Sequence, residues 1–329
     1  MLFNVCALYI KIMNNENQTI HKSDDNLTIY GWNEKLNQLK QESIYSTLAH
    51  GRVSIVHRTC YEVISGNGLF QCELTGNMMY GKSDDELPCT GDWVIFQPFD
   101  EHKGIIVDRL PRERTLYRKK SGTVADKQAI ASYVDKAFIV QSLDDNFNVR
   151  RVERFMVQIM EENISSVLVL NKADLDFDRQ SVEEQIKHIS SQIPVFFTSI
   201  HQLETIVRLR KSISEGETVV FVGSSGVGKS SLVNALCEKP VLLTSDISLS
   251  TGKGRHTSTR REMVLMDSSG VLIDTPGVRE FGLAIDNPDS LAEVLEISDY
   301  AELCRFKDCK HINEPGCAVL EAVNSLSLI

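Results

Sequence analysis

The stretch TVVFVGSSGVGKSSLVNALC, residues 218–237, decides the fold class of this chain. Its first five residues are β-branched or aromatic, which predicts a buried strand, and its last nine have the composition of a helix. The segment between them fulfils the pattern G-x-x-x-x-G-K-[ST], which in a strand–loop–helix context is typical of a phosphate-binding loop. Such loops turn backbone N–H groups toward phosphate oxygens and add the positive end of a helix. We therefore expect an α/β domain built around a P-loop.

The P-loop supplies most of the expected nucleotide contacts. These are Gly223, Ser224, Ser225, Gly226, Val227, Gly228, Lys229, Ser230 and Ser231. Lys229 should reach the β- and γ-phosphates and support the chemistry, and Ser230 should place its hydroxyl on Mg²⁺. The alternative is a glycine-rich turn that binds nothing, which the complete pattern in its required context disfavours.

A second motif indicates which base is bound. Directly after the apolar run SVLVL, the chain reads Asn171, Lys172, Ala173 and Asp174. A carboxylate at Asp174 can accept both the N1–H and the 2-amino protons of guanine, whereas adenine offers neither donor. Asn171 can bond the other polar edge of the base, and the stem of Lys172 can pack over the ring. The motif therefore favours GTP.

A third motif, DTPG at 274–277, follows the run VLI. Asp274 is suited to hold Mg²⁺ through a water molecule, and the N–H of Gly277 to contact the γ-phosphate. Each of the three motifs lies at the end of an apolar run, so they support one another as parts of a single GTP-hydrolysing site.

Apolar runs and helical patterns alternate through the middle of the chain, which predicts a parallel sheet covered by helices. The strands are expected at 136–143, 166–175, 194–200, 218–223, 262–267 and 270–277, and the helices at 149–164, near 182–192 and near 202–213. The preceding part differs, because five short β-rich runs lie at 51–58, 61–65, 69–76, 92–97 and 104–110. Their number fits a five-stranded OB-type barrel, and an SH3-like barrel or another β-module stays open.

Composition limits the classes of partner. The 329 residues are 42% hydrophobic and carry a net charge of −10, which makes the chain a poor general binder of polyanions. Contact with RNA must come from local basic stretches, at 109–128 and 252–261, although each could equally be a solvated face. We expect no membrane span, because no run approaches the roughly 20 apolar residues that one requires.

Four residues near the C-terminus have the grouping of metal ligands: Cys304, Cys309, His311 and Cys317. Three thiolates and an imidazole suit tetrahedral Zn²⁺ and leave no open position for chemistry, so the site should be structural. Such a grouping is not a disulfide framework, and it indicates a reducing cytoplasm.

The order of the motifs is unusual, because the base-reading motif precedes the P-loop and DTPG follows. With this order, the barrel, the segment GKGRHTSTR and the terminal segment CRFKDCKHINEPGCAV, the span from about Gly31 to Val323 resembles the circularly permuted ribosome small subunit-dependent GTPases, the RsgA family. The resemblance implies an OB-fold, a permuted GTPase domain and a zinc domain. It also implies action in late maturation of the small (30S) ribosomal subunit, with contacts to its rRNA and hydrolysis stimulated by the subunit.

We accordingly predict a flexible extension at 1–30, an OB-fold at 31–112, a permuted GTPase domain at 113–284 and a zinc-binding domain at 285–329. The chain is expected to be monomeric. It departs from the family at the guanine-side loop, which reads Thr198-Ser199-Ile200 instead of the usual Ser-Ala, and it ends at Ile329 without the family's further helix.

Hydrolysis also requires a residue that orients the attacking water. Many GTPases use a glutamine directly after the DxxG motif, but that place is Val278 here. His256 is the best internal candidate, and the resemblance points to the same histidine. Thr257 or Ser258 should supply a further Mg²⁺ ligand. Two other readings stay open, a GTP-regulated RNA-binding module with weak hydrolysis and a GTP-dependent switch that acts on another partner.

Overall fold

The computed structural model describes residues 25–79, 83, 85–119, 127–237, 262–266, 270–274, 303–306, 309, 314–318 and 321. Its helices are α1 (Asp25–Thr28), α2 (Glu34–Glu42), α3 (Gly76–Met79), α4 (Val149–Glu161), α5 (Arg179–Gln185), α6 (Lys187–Ser190), α7 (Leu203–Arg210) and α8 (Lys229–Cys237). Its strands are β1 (Ala49–Val56), β2 (Tyr61–Ser65), β3 (Gly68–Leu74), β4 (Trp93–Asp100), β5 (Lys103–Arg109), β6 (Leu116–Lys119), β7 (Lys127–Ala131), β8 (Lys136–Ser142), β9 (Ser165–Asn171), β10 (Val195–Thr198), β11 (Thr218–Val222), β12 (Glu262–Leu265) and β13 (Val271–Asp274). Within these ranges, every helix is too short or too polar to cross a bilayer.

Strands β1 to β5 close into a barrel. Their order is β1-β2-β3-β5-β4, and β4 pairs again with β1. The pairing of β3 with β5 is parallel and the others are antiparallel. Alternate side chains such as Val53, Val63 and Phe96 fill the interior. The prediction of an OB-type barrel is confirmed.

A hairpin joins β2 and β3. Ser65 pairs with Gly68, which leaves a two-residue turn, and Gly68 has a φ of +111°. Glycine adopts this backbone conformation without strain, which explains its presence directly after the turn.

Helices α1 and α2 cover one side of the barrel. Leu27, Trp32 and Leu36 are buried in a cluster with Trp93 and Ile95 of β4. The sequence interpretation placed residues up to 30 in an extension and did not predict α2. Residues 25–30 therefore belong to a packed part of the molecule, while the domain limits themselves stay predictions.

The remaining large sheet has the order β10-β9-β8-β11-β13-β12. All its neighbours are parallel except β12 and β13. Helices cover both faces, so β8 and β9 are nearly continuous apolar runs, as expected for doubly covered strands. The predicted alternation of strands and helices is confirmed, with one difference: the helix expected near 182–192 is divided into α5 and α6.

The basic stretch at 109–128 includes β6 and the start of β7, an antiparallel pair of strands that the sequence did not reveal. Some of its arginines serve internal ion pairs. Arg112 contacts the fully buried Asp92 at 2.6 Å, and Arg114 contacts Asp135 at 3.0 Å. These two side chains therefore do not form part of a free basic surface.

The barrel and the parallel sheet are continuous. Strand β1 pairs with β12 at Ile55 and Glu262, which joins the two into one 11-stranded sheet. Next to this junction the side chain of Arg52 is buried and donates to Thr218 Oγ1 at 2.9 Å, at the start of β11. The same guanidinium donates to the carbonyls of Gly91 and Tyr30. Arg52 thus connects β1 with the start of β11, with the segment after α1 and with the loop before β4.

Candidate nucleotide-binding site

The sequence motifs meet at the carboxyl edge of the parallel sheet, where open α/β sheets bind their ligands. The P-loop follows β11, and the residues 171–174 begin at Asn171, the last residue of β9. Between them lies β8, whose Ser142 pairs with Asn171 and whose Ile139 pairs with Val222. On the far side of β9, Thr198 of β10 also pairs with Asn171.

Two glycines of the P-loop are required by close packing. Gly223 has a φ of +148°, and a Cβ there would lie 2.4 Å from the carbonyl oxygen of Val140. Gly228 has a φ of +91°, and its Cβ would lie 2.3 Å from Nδ2 of Asn171. Because neither place has room for a side chain, the loop can approach β8 and β9 only with glycine at these positions.

The P-loop lysine lies at the mouth of the loop. Lys229 is the first residue of α8, and its Nζ donates to the carbonyls of Gly223 at 2.8 Å and Ser224 at 2.7 Å. A phosphate cradled by the loop would meet this ammonium group at the N-terminus of the helix, where the macrodipole also favours an anion. Ser230 lies half-buried in the same first turn.

The base-reading motif is joined directly to the P-loop. Asn171 is buried, and its Nδ2 donates to the carbonyl of Val227 at 2.8 Å. Its Oδ1 accepts from Thr198 Oγ1 at 3.4 Å. The two motifs are far apart along the chain, so this contact exists only because β9 and β11 flank β8.

Ser199 positions the carboxylate that is expected to read guanine. Its Oγ donates to Oδ1 of Asp174 at 2.5 Å, and this hydrogen bond lowers the pKa of Asp174. Asp174 is otherwise exposed, so its free oxygen can accept a proton donor of a base. Although this loop reads Ser199-Ile200 where the family usually has Ser-Ala, the serine is retained and contacts Asp174.

Lys172 is held by an acid that the sequence analysis did not select. Its Nζ contacts Oδ2 of Asp144, beyond the end of β8, at 2.7 Å. Burial would raise the pKa of Asp144, but hydrogen bonds from Lys172, from Ser142 and from the N–H of Asn146 together lower it to about 2. An acidic residue directly after a buried strand was the signal that could have found it.

Several predicted residues cannot be placed. Asp274 ends β13, where its backbone pairs with Glu262, but its side chain is not described. The other members of the expected catalytic and switch region lie outside the described residues: His256, Thr257, Ser258, Gly277 and Val278.

Three of the four expected metal ligands come together. The Sγ atoms of Cys304, Cys309 and Cys317 lie within 4.8 Å of one another, and those of Cys304 and Cys317 are 3.9 Å apart. Thiolates bound to one tetrahedral Zn²⁺ at about 2.3 Å would be about 3.8 Å apart, so the cluster fits such an ion. His311 lies outside the described residues.

Comparison with known proteins agrees with this geometry. Residues 109–284 match the family model described as RsgA GTPase. A curated protein of Bacteroides thetaiotaomicron, named small ribosomal subunit biogenesis GTPase RsgA 1, is 73% identical over 316 residues, which cover 96% of this chain and 87% of that protein. This chain belongs to the RsgA GTPase family. A relative of Methanosarcina acetivorans, named small ribosomal subunit biogenesis GTPase RsgA, is 38% identical over 322 residues, or 94% of this chain and 85% of the relative.

Solved structures match as well. The crystal structure of YjeQ from Thermotoga maritima has a TM-score of 0.60 and 26% identity, and the match covers 85% of this chain and 92% of that one. The structure of YloQ, described as a circularly permuted GTPase, has a TM-score of 0.59 and 21% identity over 87% of this chain and 91% of its own. This second likeness concerns the fold alone, and it agrees with the permuted order of the motifs.

Proposed function

We propose that this protein is a GTP hydrolase that acts in late maturation of the small (30S) ribosomal subunit, with a low intrinsic rate that the subunit raises. The hydrogen bond from Asn171 to Val227 carries the proposal, because it unites the base-reading motif and the phosphate loop in one site. Membership of the RsgA GTPase family and the names of the relatives support the assignment to the small subunit.

Different residues of the described site would bind the guanine base and the phosphates. Asp174, oriented by Ser199, would accept the two donors of guanine, and Lys172 would pack over the base. The N–H groups of 223–231 would cradle the phosphates, and Lys229 would move from the loop carbonyls to the β- and γ-phosphates. The positive charge would then stabilise the transition state, in which negative charge spreads over the transferred phosphoryl group.

Magnesium would be held by the hydroxyl of Ser230 and, through water, by Asp274, with Thr257 or Ser258 as a further ligand. His256 is proposed to position the attacking water, and the N–H of Gly277 to contact the γ-phosphate. These roles rest on the sequence and on the family resemblance. A water-positioning group that a partner must order would explain a low rate in the absence of the subunit.

A structural Zn²⁺ is proposed for the C-terminal cluster. Cys304, Cys309 and Cys317 would be three of its ligands and His311 the fourth. Coordination of the metal would hold together a segment that is too small to have a large apolar core of its own. We also propose a monomeric, cytoplasmic protein whose partners are GTP, GDP and the rRNA of the small subunit. The proposed limits of the domains are those given from the sequence.

The test is GTP hydrolysis by the purified protein with and without isolated small subunits. We expect the subunits to increase turnover at least tenfold, and Lys229→Ala to abolish it in both conditions, because phosphoryl transfer then lacks its main cationic contact. Large subunits serve as the control and should have no comparable effect. Tight GTP binding without stimulation would instead favour the GTP-regulated RNA-binding module.

A further inference from the structure

The P-loop also accepts a hydrogen bond from an arginine that is not part of the phosphate-binding motif. Ser224, the second residue of the loop, accepts a hydrogen bond at Oγ from Nη1 of Arg151 at 3.1 Å. The same Nη1 donates to the carbonyl of Asn146 at 3.2 Å. The guanidinium therefore connects the phosphate loop with the segment that follows β8.

The position of Arg151 is set by the start of its helix. Asn148 is the N-cap of α4, and its Oδ1 accepts from the backbone N–H of Arg151 at 3.0 Å. Because this cap fixes the first helical turn, the arginine side chain leaves the helix toward the P-loop and not toward solvent. Both Arg151 and Ser224 are partly buried, which reduces the competition of water for their hydrogen bond.

The other end of this segment holds the base-reading motif. Asp144 accepts from the N–H of Asn146 at 3.0 Å and from Lys172 Nζ at 2.7 Å. Residues 144–151 thus form a bridge, with an ion pair to Lys172 at one end and a charge-assisted hydrogen bond to Ser224 at the other. This bridge is separate from the direct contact between Asn171 and Val227.

We propose that Arg151 is a positioning residue of the nucleotide site, which holds the start of the P-loop through Ser224. The carbonyl of Ser224 accepts from Lys229, and when a phosphate draws this lysine away, the bond between the Ser224 hydroxyl and Arg151 would continue to hold Ser224 in place. The inference rests on the proposed binding of GTP. It adds a residue that neither the phosphate-loop pattern nor the base-reading pattern contains.

The test compares Arg151→Ala, Arg151→Lys, Ser224→Ala and the double variant Arg151→Ala/Ser224→Ala with the wild type. Dissociation constants are measured for fluorescent GDP and GTP analogues, and KM and kcat for GTP. We expect each alanine variant to weaken binding about 5- to 10-fold, which corresponds to the net contribution of one ordinary hydrogen bond, because the lost bond acts on the nucleotide only through the loop. KM should rise by the same factor, whereas kcat should fall less than twofold.

The double variant identifies the contact itself. Since both single changes remove the same hydrogen bond, the double variant should lose no more than either one, whereas independent effects would multiply. Arg151→Lys should recover part of the affinity, because it keeps the charge but lacks the longer, planar guanidinium that places the donor at Ser224. Arg150→Ala, an exposed neighbour on the same helix turn, is the matched control and should bind as the wild type does.

The outcomes distinguish a failure of the proposed function from a failure of the proposed role of Arg151. A wild-type protein that fails to bind GTP overturns the proposed function, whereas wild-type binding with Arg151→Ala equal to Arg150→Ala overturns this inference alone. Multiplied losses in the double variant overturn the direct contact. If Arg151→Ala also lowers the unfolding midpoint, Ser224→Ala decides the question, because it removes the same bond and leaves the contact between Arg151 and Asn146 intact.

Discussion

Among single residues, the nucleotide site depends on positions where neighbouring atoms leave room for glycine and for no other residue. Gly228 is the clearest case, because its missing side chain is what allows Asn171 to reach the P-loop. The conformation at Gly228 also has a positive φ, which side chains rarely adopt. Backbone strain and close packing therefore both require glycine there.

Gly228→Ala is expected to weaken GDP and GTP binding at least tenfold. The new Cβ would lie 2.3 Å from Nδ2 of Asn171, so the base-reading motif must move away from the loop. Strained positions of this kind cost about 1–3 kcal/mol, and about 1.4 kcal/mol corresponds to a factor of ten in binding. Equilibrium titration with a fluorescent nucleotide measures the effect.

Gly68→Ala is the matched control for that prediction. Gly68 also has a positive φ, but no atom lies within 4 Å of the place where its Cβ would be. It should reduce stability through backbone strain and leave nucleotide affinity unchanged, since it lies in the hairpin of the barrel. Equal affinity in Gly228→Ala and the wild type would mean that the loop does not need Asn171.

At the scale of the element, the described part of the C-terminal segment is arranged around three sulfur atoms. Of these residues Cys317 is the most buried, and its Sγ is 3.9 Å from that of Cys304. Three thiols packed so closely gain little from apolar contact, and the proposed Zn²⁺ would explain why they converge. The segment should therefore depend on the metal for its folding.

Cys317→Ser is expected to reduce bound zinc from about one ion per chain to nearly none, since a neutral hydroxyl is a poor substitute for a thiolate. The zinc content of the dialysed protein, measured by mass spectrometry of the metal, checks this. Cys60→Ser, on the barrel, is the control and should retain the ion. The zinc proposal fails if Cys317→Ser keeps a full equivalent.

At the scale of the whole molecule, the barrel and the GTPase sheet are joined by a buried cation. Burial lowers the pKa of Arg52 to about 10, so its guanidinium stays charged at neutral pH. Its hydrogen bonds go mostly to carbonyl oxygens, and the ring of Trp93 lies 5.5 Å away. A buried charge held by contacts from several segments makes their relative position specific, because any shift would leave the charge or its acceptors without partners.

Arg52→Met is expected to lower the free energy of unfolding by about 3 kcal/mol, since it leaves several buried carbonyls without donors. The barrel and the sheet should then unfold in two steps in place of one. Calorimetry and denaturant titration with separate probes measure this, and Arg58→Ala, an exposed arginine of the barrel, is the control. A single transition at the wild-type midpoint would show that the junction does not depend on Arg52.

The local features of the fold and of the site could be predicted from the sequence. The P-loop, the base-reading motif, the cysteine spacing and the alternation of strands and helices were all readable, because each depends on residues close together in the chain or on a short period of apolar residues. The OB-type barrel was predicted from the number of its strands. The order of these strands was not, since the parallel pairing of β3 with β5 joins residues that no local pattern relates.

The contacts between groups that are distant along the chain became visible only in the folded structure. A run of arginines reads as a basic surface, yet Arg112 turns inward to Asp92, because charge pattern carries no information about the partner of each charge. The bond from Arg151 to Ser224 and the junction at Arg52 likewise join segments more than 70 residues apart. Such contacts depend on how helices and strands pack against one another. This packing involves the whole chain, so a short motif does not predict it.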